Sequence, residues 1–408
     1  MIDLPARPVV STGWHARLCR LGGRTASHPP RDLATAVREE IGVDLTARYG
    51  GLTIPHPIGK ASGQLSCTAN QVATDVRAGI AFVVLKTVIA ESPGGARSME
   101  QWALPEARMR VGRRIAPDGR EGWTVTWKGR GWSGTLSQYL DFFAESLGLA
   151  REGEVPVIPS VKYHLPAVGE SVRESEYRYT TRQLLEVWKR SGCSGTMVLE
   201  KDFSPTLAGD PRAARRETVL GWLEKVPGLI DRSAPGETLI GVKLMNSLFD
   251  DQFQVEMVRA LVERAETPPA FLVVFNRLFD AERGVAYGGW ELSDRNLRVL
   301  ELLREAEPPL QSMPPLSGTG NICSGKVMVQ YALAGCESGQ VHTFFQVPLS
   351  EYTATGGSRT ARALHTLLLH PTEGLVVWLR HLYETDVLGE RDGEIRFLDA
   401  VGLGTARR

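Results

Sequence analysis

The feature that most constrains the fold is a recurrence of eight short apolar runs, at residues 57–62, 81–86, 155–161, 196–201, 239–244, 270–275, 314–318 and 338–343. Turn residues or charges bound each one. Most are continuous rather than alternating in polarity, the pattern of parallel strands buried on both faces. Between them lie segments with helical spacing, among them 181–190, 253–265, 293–306 and 325–334. Strand then helix, eight times over, predicts an α/β fold of the (β/α)8 TIM-barrel type across residues 44–385. Residues 1–43 read as an N-terminal extension with one helix over 32–41, started after Pro29-Pro30 and stopped by Gly42. Residues 386–408 read as a C-terminal tail.

Composition removes several function classes. Across 408 residues, 47 Lys and Arg balance 47 Asp and Glu, and 42% of the chain is hydrophobic. Disordered chains are poor in aliphatic residues and carry large net charge, so a disordered chain is excluded. A neutral chain also lacks the basic excess with which nucleic-acid binders neutralise phosphates, so no nucleic-acid partner is expected. The five cysteines (Cys19, Cys67, Cys193, Cys323, Cys336) are scattered and contain no C-x-x-C, which argues against a disulfide framework and a metal centre. A reduced, cytoplasmic setting is expected. No apolar run reaches the length of a membrane span, and residues 1–21 mix arginines with short apolar stretches rather than forming a signal-peptide core.

Two connections are long. Residues 88–137, after the second run, carry Trp102, Trp123, Trp127 and Trp132. An insert of that length is usually functional. It is expected either to wall the active-site face or to form a small hairpin subdomain with the tryptophans as its own core. The second long stretch, 202–238, holds a helical pattern but no readable motif.

The chemistry concentrates at strand ends. Of nine lysines, Lys60, Lys86, Lys162, Lys201 and Lys243 fall at or near the C-terminal ends of apolar runs. In a barrel those ends converge on one face, where so many cations would call for an anionic ligand. Ser317-Gly318-Thr319-Gly320-Asn321-Ile322 follows the seventh run and precedes a helix pattern, with Val341-His342-Thr343 closing the eighth. Glycines permit close backbone approach and N–H groups at a helix start favour anions, so a phosphate is expected there.

These residues resemble the dihydroorotate dehydrogenase family of FMN-binding barrels, over roughly residues 44–363. The family's Asn-Ala-Ser-Gly strand end is similar to Lys60-Ala61-Ser62-Gly63, its Thr-Lys-Thr to Leu85-Lys86-Thr87, and its Gly-Val-Lys-Leu to Gly241-Val242-Lys243-Leu244. The phosphate turn, Gly-Thr-Gly-Gly-Ile, is similar to Gly318–Ile322 except at Asn321, and the last phosphate element, Gly-Thr, is His342-Thr343 here. The resemblance implies FMN held by Ala61, Ser62, Lys86, Lys162, Lys243, Asn276, Gly318, Thr319, Gly320, His342 and Thr343.

The family's catalytic base sits in an Asn-x-Ser-Cys-Pro-Asn or Asn-x-Ser-Ser-Pro-Asn loop after the fourth strand. Lys201-Asp202-Phe203-Ser204-Pro205-Thr206 stands there, which puts Ser204 in the base position and Lys201 and Thr206 in place of the flanking asparagines. His164 is a second acid/base candidate, because histidine titrates near neutrality. Asn276 is retained. The family's other substrate-binding segment falls near Trp127, Arg130 and Trp132. Such swaps of amides for charged and aromatic groups should exclude dihydroorotate and admit a more anionic or aromatic substrate. The expected function is an FMN-dependent oxidoreductase acting on adjacent carbons of a small substrate, with a soluble electron acceptor or donor and a homodimeric assembly. The alternative is a phosphate-site barrel without redox chemistry: a lyase, an isomerase or a binding protein.

Overall fold

The protein is described here by a computed structural model. It describes residues 2–405 except 101–109, 116–118, 128–130, 152, 168, 204–214, 281–284, 290 and 311.

Ten strands build one parallel sheet: β1 (Ile58–Lys60), β2 (Val83–Val84), β3 (Val88–Ile89), β4 (Val157–Ile158), β5 (Ser160–Lys162), β6 (Met197–Asp202), β7 (Thr238–Met245), β8 (Phe271–Asn276), β9 (Leu316–Thr319) and β10 (Cys336–Val341). Their hydrogen-bonded order is β3-β5-β6-β7-β8-β9-β10-β1-β2-β4. This corrects the expected TIM barrel: the ladder has ten strands and two ends, and is not a closed ring of eight uninterrupted strands. The third apolar run is split in two, and β3 lies beyond the second run, at the start of the stretch expected to be an insert. Pro159, between β4 and β5, has no N–H to donate to a ladder. Lys86, between β2 and β3, donates its N–H to the Ser66 carbonyl at 2.8 Å instead of to a neighbouring strand. Hence β2 pairs with β4 through Val83 and Val157, whereas β3 pairs with β5 through Val88 and Val161.

Helices follow most strands. They are α1 (Thr12–Thr25), α2 (Leu33–Ile41), α3 (Ala69–Arg77), α4 (Leu136–Arg151), α5 (Glu174–Arg190), α6 (Arg216–Asp231), α7 (Asp251–Arg259), α8 (Glu291–Arg304), α9 (Gly325–Leu333), α10 (Arg359–Leu369) and α11 (Leu375–Glu384). Local signals set their ends. Thr68 and Gln71 form a capping box on α3, and Gly42 closes α2 at φ 75°, its N–H returning to the Arg38 carbonyl. A short hairpin, Ala47–Tyr49 against Leu52–Ile54, underlies the sheet. Its Tyr49 ring stacks on Phe82 at 4.0 Å and meets Phe271 edge-on at 5.1 Å.

The insert after β3 does not stand alone. Its strands Arg110–Ile115 and Glu121–Trp127 pair antiparallel, and Glu121–Trp127 then pairs with Val285–Gly288 of a second hairpin that follows β8. Four antiparallel strands from two distant parts of the chain thus make a separate small sheet. The first 43 residues pack into the main core through Trp14, Leu18, Leu21, Val37 and Ile41. Val43–Asp44 pairs in parallel with Ile395–Arg396, which joins the two ends of the described chain.

Candidate functional site

The C-terminal ends of the parallel strands open onto a cavity with about 910 Å³ of empty space, its open mouth included. From the loop after β1 come Ala61, Ser62 and Gly63, and from the break between β2 and β3 come Lys86 and Thr87. Lys243 rises from β7 and Asn276 ends β8. The turn after β9 supplies Thr319, Gly320 and Asn321, and the end of β10 supplies Gln340, His342 and Thr343.

The glycines there are dictated by contact. A Cβ on Gly63 would lie 2.3 Å from Cε1 of His342, so the imidazole rests against that backbone. Gly320 sits at φ 94°, and a Cβ there would lie 2.7 Å from Nδ2 of Asn296 and 2.9 Å from the Phe275 carbonyl. Asn321 follows at φ 56°, a left-handed conformation that asparagine tolerates better than most residues. Its amide donates to Ser293 Oγ at 2.9 Å. Three residues on, Ser324 caps α9 by accepting from the Val327 N–H.

Beneath the cavity a polar network runs through the sheet interior. Lys243 Nζ donates to Gln340 Oε1 at 2.7 Å and lies 3.7 Å from Glu200 Oε1. Glu200 also accepts from Gln340 Nε2 at 2.5 Å, Ser160 Oγ at 3.2 Å and the Tyr49 hydroxyl at 3.3 Å. Thr87 Oγ1 bridges Ser62 (2.9 Å), Ser160 (3.1 Å) and Asp202 (3.3 Å). The electrostatics are positive: burial, and then Lys60, Lys86, Lys243 and Arg277, push the His342 imidazole down to about 3. It is therefore neutral at physiological pH.

Not every expected residue faces this cavity. Lys60 points to the outer side of the sheet, where its ammonium pairs with Asp75 at 3.0 Å, donates to Thr360 at 3.2 Å and lies 3.8 Å from the Phe345 ring centre. Lys162 is fully buried below the cavity and donates to Asp202 Oδ2 at 3.4 Å. Lys201, expected to act in catalysis, is fully buried off the cavity and donates to the Asp202 carbonyl at 2.9 Å. Burial, reinforced by Lys162, holds it well below the ordinary lysine range. Gly318 faces the ring of Tyr331 on α9 rather than the cavity.

His164 is also away from the cavity. Its Nδ1 accepts from the Arg173 N–H at 3.1 Å and its Nε2 faces Glu170 at 3.2 Å, an arrangement that shapes the loop before α5. Trp132 stacks on Phe142 of α4 at 5.4 Å and meets Tyr139 at 5.5 Å. Its backbone N–H reaches the Thr87 carbonyl at 2.6 Å, but its indole belongs to the core beside α4. Ser204, Thr206, Arg130 and Trp102 lie outside the described residues, as does the side chain of Trp127.

Lining residues that escaped the sequence reading include Asp202, Arg277 and Gln340, whereas Trp123 lies in the insert expected to wall this face. Asp202 was passed over beside Ser204, although a carboxylate at a strand end among lysines is itself a signal. Arg277 directly follows Asn276 and is buried on the cavity wall. Trp123 comes from the insert, its Nε1 donating to Glu351 Oε2 at 3.0 Å while Arg113 lies over its ring at 5.2 Å. One insert tryptophan thus walls the cavity, while Trp132 serves core packing. No protein-family model matches the chain, and no curated protein is detectably similar to it.

Proposed function

We propose that the protein is an FMN-dependent oxidoreductase of the dihydroorotate dehydrogenase-like class, acting on a CH–CH bond of a small anionic or aromatic substrate other than dihydroorotate. One observation carries the reading. A cavity at the strand ends is lined by Lys86, Lys243 and Arg277 against a single described acid, Asp202, beside a glycine turn that leads into α9. FMN suits these residues because its phosphate favours backbone N–H groups and cations, and its ring edge presents hydrogen-bonding atoms to Lys243, Gln340 and Asn276. When bound, FMN supplies hydride transfer. The chain's part is to orient the ring, with Lys243 stabilising added negative charge and Asp202 and the Thr87 and Ser62 hydroxyls placed to exchange a proton.

The visible spectrum of the purified protein tests this reading. Flavin bands with about one FMN per chain are expected, and Lys243→Ala should weaken FMN uptake. A colourless protein that takes up no added FMN rejects the proposal. A second reading, an anion-binding protein without redox chemistry, has one observation in its favour: the Lys243 ammonium is already engaged by Gln340 and Glu200. It predicts phosphate-ester binding to a protein that never becomes yellow.

A further inference from the structure

We propose that Asp202 is the proton-exchanging carboxylate of the cavity, taking up a proton when an anionic ligand is seated there. The proposal rests on the reading that this cavity takes FMN. Asp202 ends β6, is buried, and still lines the cavity, where it is the one acidic side chain among the described lining residues. Its Oδ2 accepts from Thr87 Oγ1 at 3.3 Å and from Lys162 Nζ at 3.4 Å. Thr87 Oγ1 lies 2.9 Å from Ser62 Oγ, itself on the cavity wall, so two hydroxyls connect the carboxylate to the space a ligand would fill.

Charged groups reach Asp202 from each neighbouring element. Lys162 comes from β5, Lys201 from β6 itself, and Lys243 from β7, where it stands in register with Asp202. Lys86 and Arg277 share the cavity wall, His342 faces them as a neutral ring, and Glu200 lies in the interior below, held by Ser160, Gln340 and Lys243. The surrounding cations favour the ionised carboxylate. A ligand anion among Lys86, Lys243 and Arg277 offsets those cations and sets a like charge beside Asp202, and both effects raise its proton affinity. The proton comes from solvent. Ser62 and Thr87 each accept one proton and pass one on, an O–H bond forms on Asp202, its charge rises from −1 to zero, and nothing is oxidised.

Calorimetric titration of FMN into the flavin-free full chain, repeated in buffers of different ionisation enthalpy near neutral pH, counts the protons taken up on binding. The wild type should take up roughly 0.3 to 1 proton per FMN more than Asp202→Asn, which still binds FMN. Thr87→Val removes a donor to the ionised carboxylate and should move the pH profile of uptake upward. Equal proton counts in wild type and Asp202→Asn, with FMN bound by both, overturn the proposal while leaving the FMN reading intact. Failure of the wild type to bind FMN overturns both. Should Asp202→Asn not fold, an undisplaced profile in Thr87→Val is the overturning result.

Discussion

His342 and His56 show how single residues set the acid limit of this protein. His56 is buried with Nε2 donating to the Gly79 carbonyl at 2.8 Å and Nδ1 accepting from the Ile58 N–H at 3.2 Å. A proton on Nδ1 would face that N–H. Burial pushes His56 down to about 4, and burial together with nearby cations pushes His342 down to about 3. Unfolded histidines take a proton near pH 6.5. Below that pH the unfolded chain binds protons that the folded chain refuses, so stability present above pH 6.5 is lost as pH falls toward 4. Urea midpoints should fall over this interval, and His342→Gln should flatten part of the slope; an identical slope in the variant refutes the assignment. Gly320→Ala should cost about 1–3 kcal/mol, because it adds a clash to a left-handed backbone, and should weaken FMN uptake. Urea unfolding and an FMN titration check both parts. Lys86 and Lys243 were legible in the sequence because strand-end position alone brings them to the cavity. Lys201 and Lys60 were misjudged because position says nothing about face: successive strand residues point to opposite sides, so Asp202 facing in sends Lys201 out.

The elements that shape the cavity are tied together by one buried amide. Asn296 of α8 donates through Nδ2 to the Phe275 carbonyl at 2.8 Å and the Thr319 carbonyl at 2.7 Å, and its Oδ1 accepts from Asn246 at 3.0 Å. Asn246 also donates to the Asn276 carbonyl at 2.7 Å, so β8, β9 and the loop after β7 are held at their C-terminal ends. Asn296→Ala removes a donor from the Phe275 carbonyl and leaves the Thr319 carbonyl with the Tyr331 hydroxyl, and it should lower stability by about 1–3 kcal/mol in urea unfolding. A loss under about 0.5 kcal/mol would show that the network is not structural. The eight apolar runs forecast where strands lie, since each run overlaps an observed strand. They could not forecast the splitting of the third run or the extra strand β3 beyond the second, because an apolar run reports burial, whereas the breaks come from where Pro159 and Lys86 direct or withhold backbone donors. The small antiparallel sheet was illegible for another reason: its two hairpins are more than a hundred residues apart, and neither alone reveals its partner.

On the scale of the whole molecule, the segment read as an N-terminal extension is part of the core. Trp14, Leu18 and Leu21 of α1 and Val37 and Ile41 of α2 are all buried. Thr25 lies 3.0 Å from His365 of α10, and Val43–Asp44 pairs with Ile395–Arg396. Composition hid this, because the arginines and prolines of residues 1–43 dilute an apolar face that only helical spacing recovers, at positions 14, 18 and 21. Burying a large apolar side chain is worth about 1.5–3 kcal/mol, and the net stability of a domain is about 5–15 kcal/mol. Five such side chains therefore represent about the whole margin of stability. A chain starting at residue 44 should not fold: it should lack a cooperative thermal transition, expose apolar surface to a hydrophobic dye, and fail to take up FMN. The point substitution Leu18→Ala in the full chain should instead cost about 2–5 kcal/mol and lower the melting temperature while the cavity still forms. If the shortened chain melted cooperatively at the temperature of the full chain, α1 and α2 would be an appendage and their buried faces would contribute nothing to the fold.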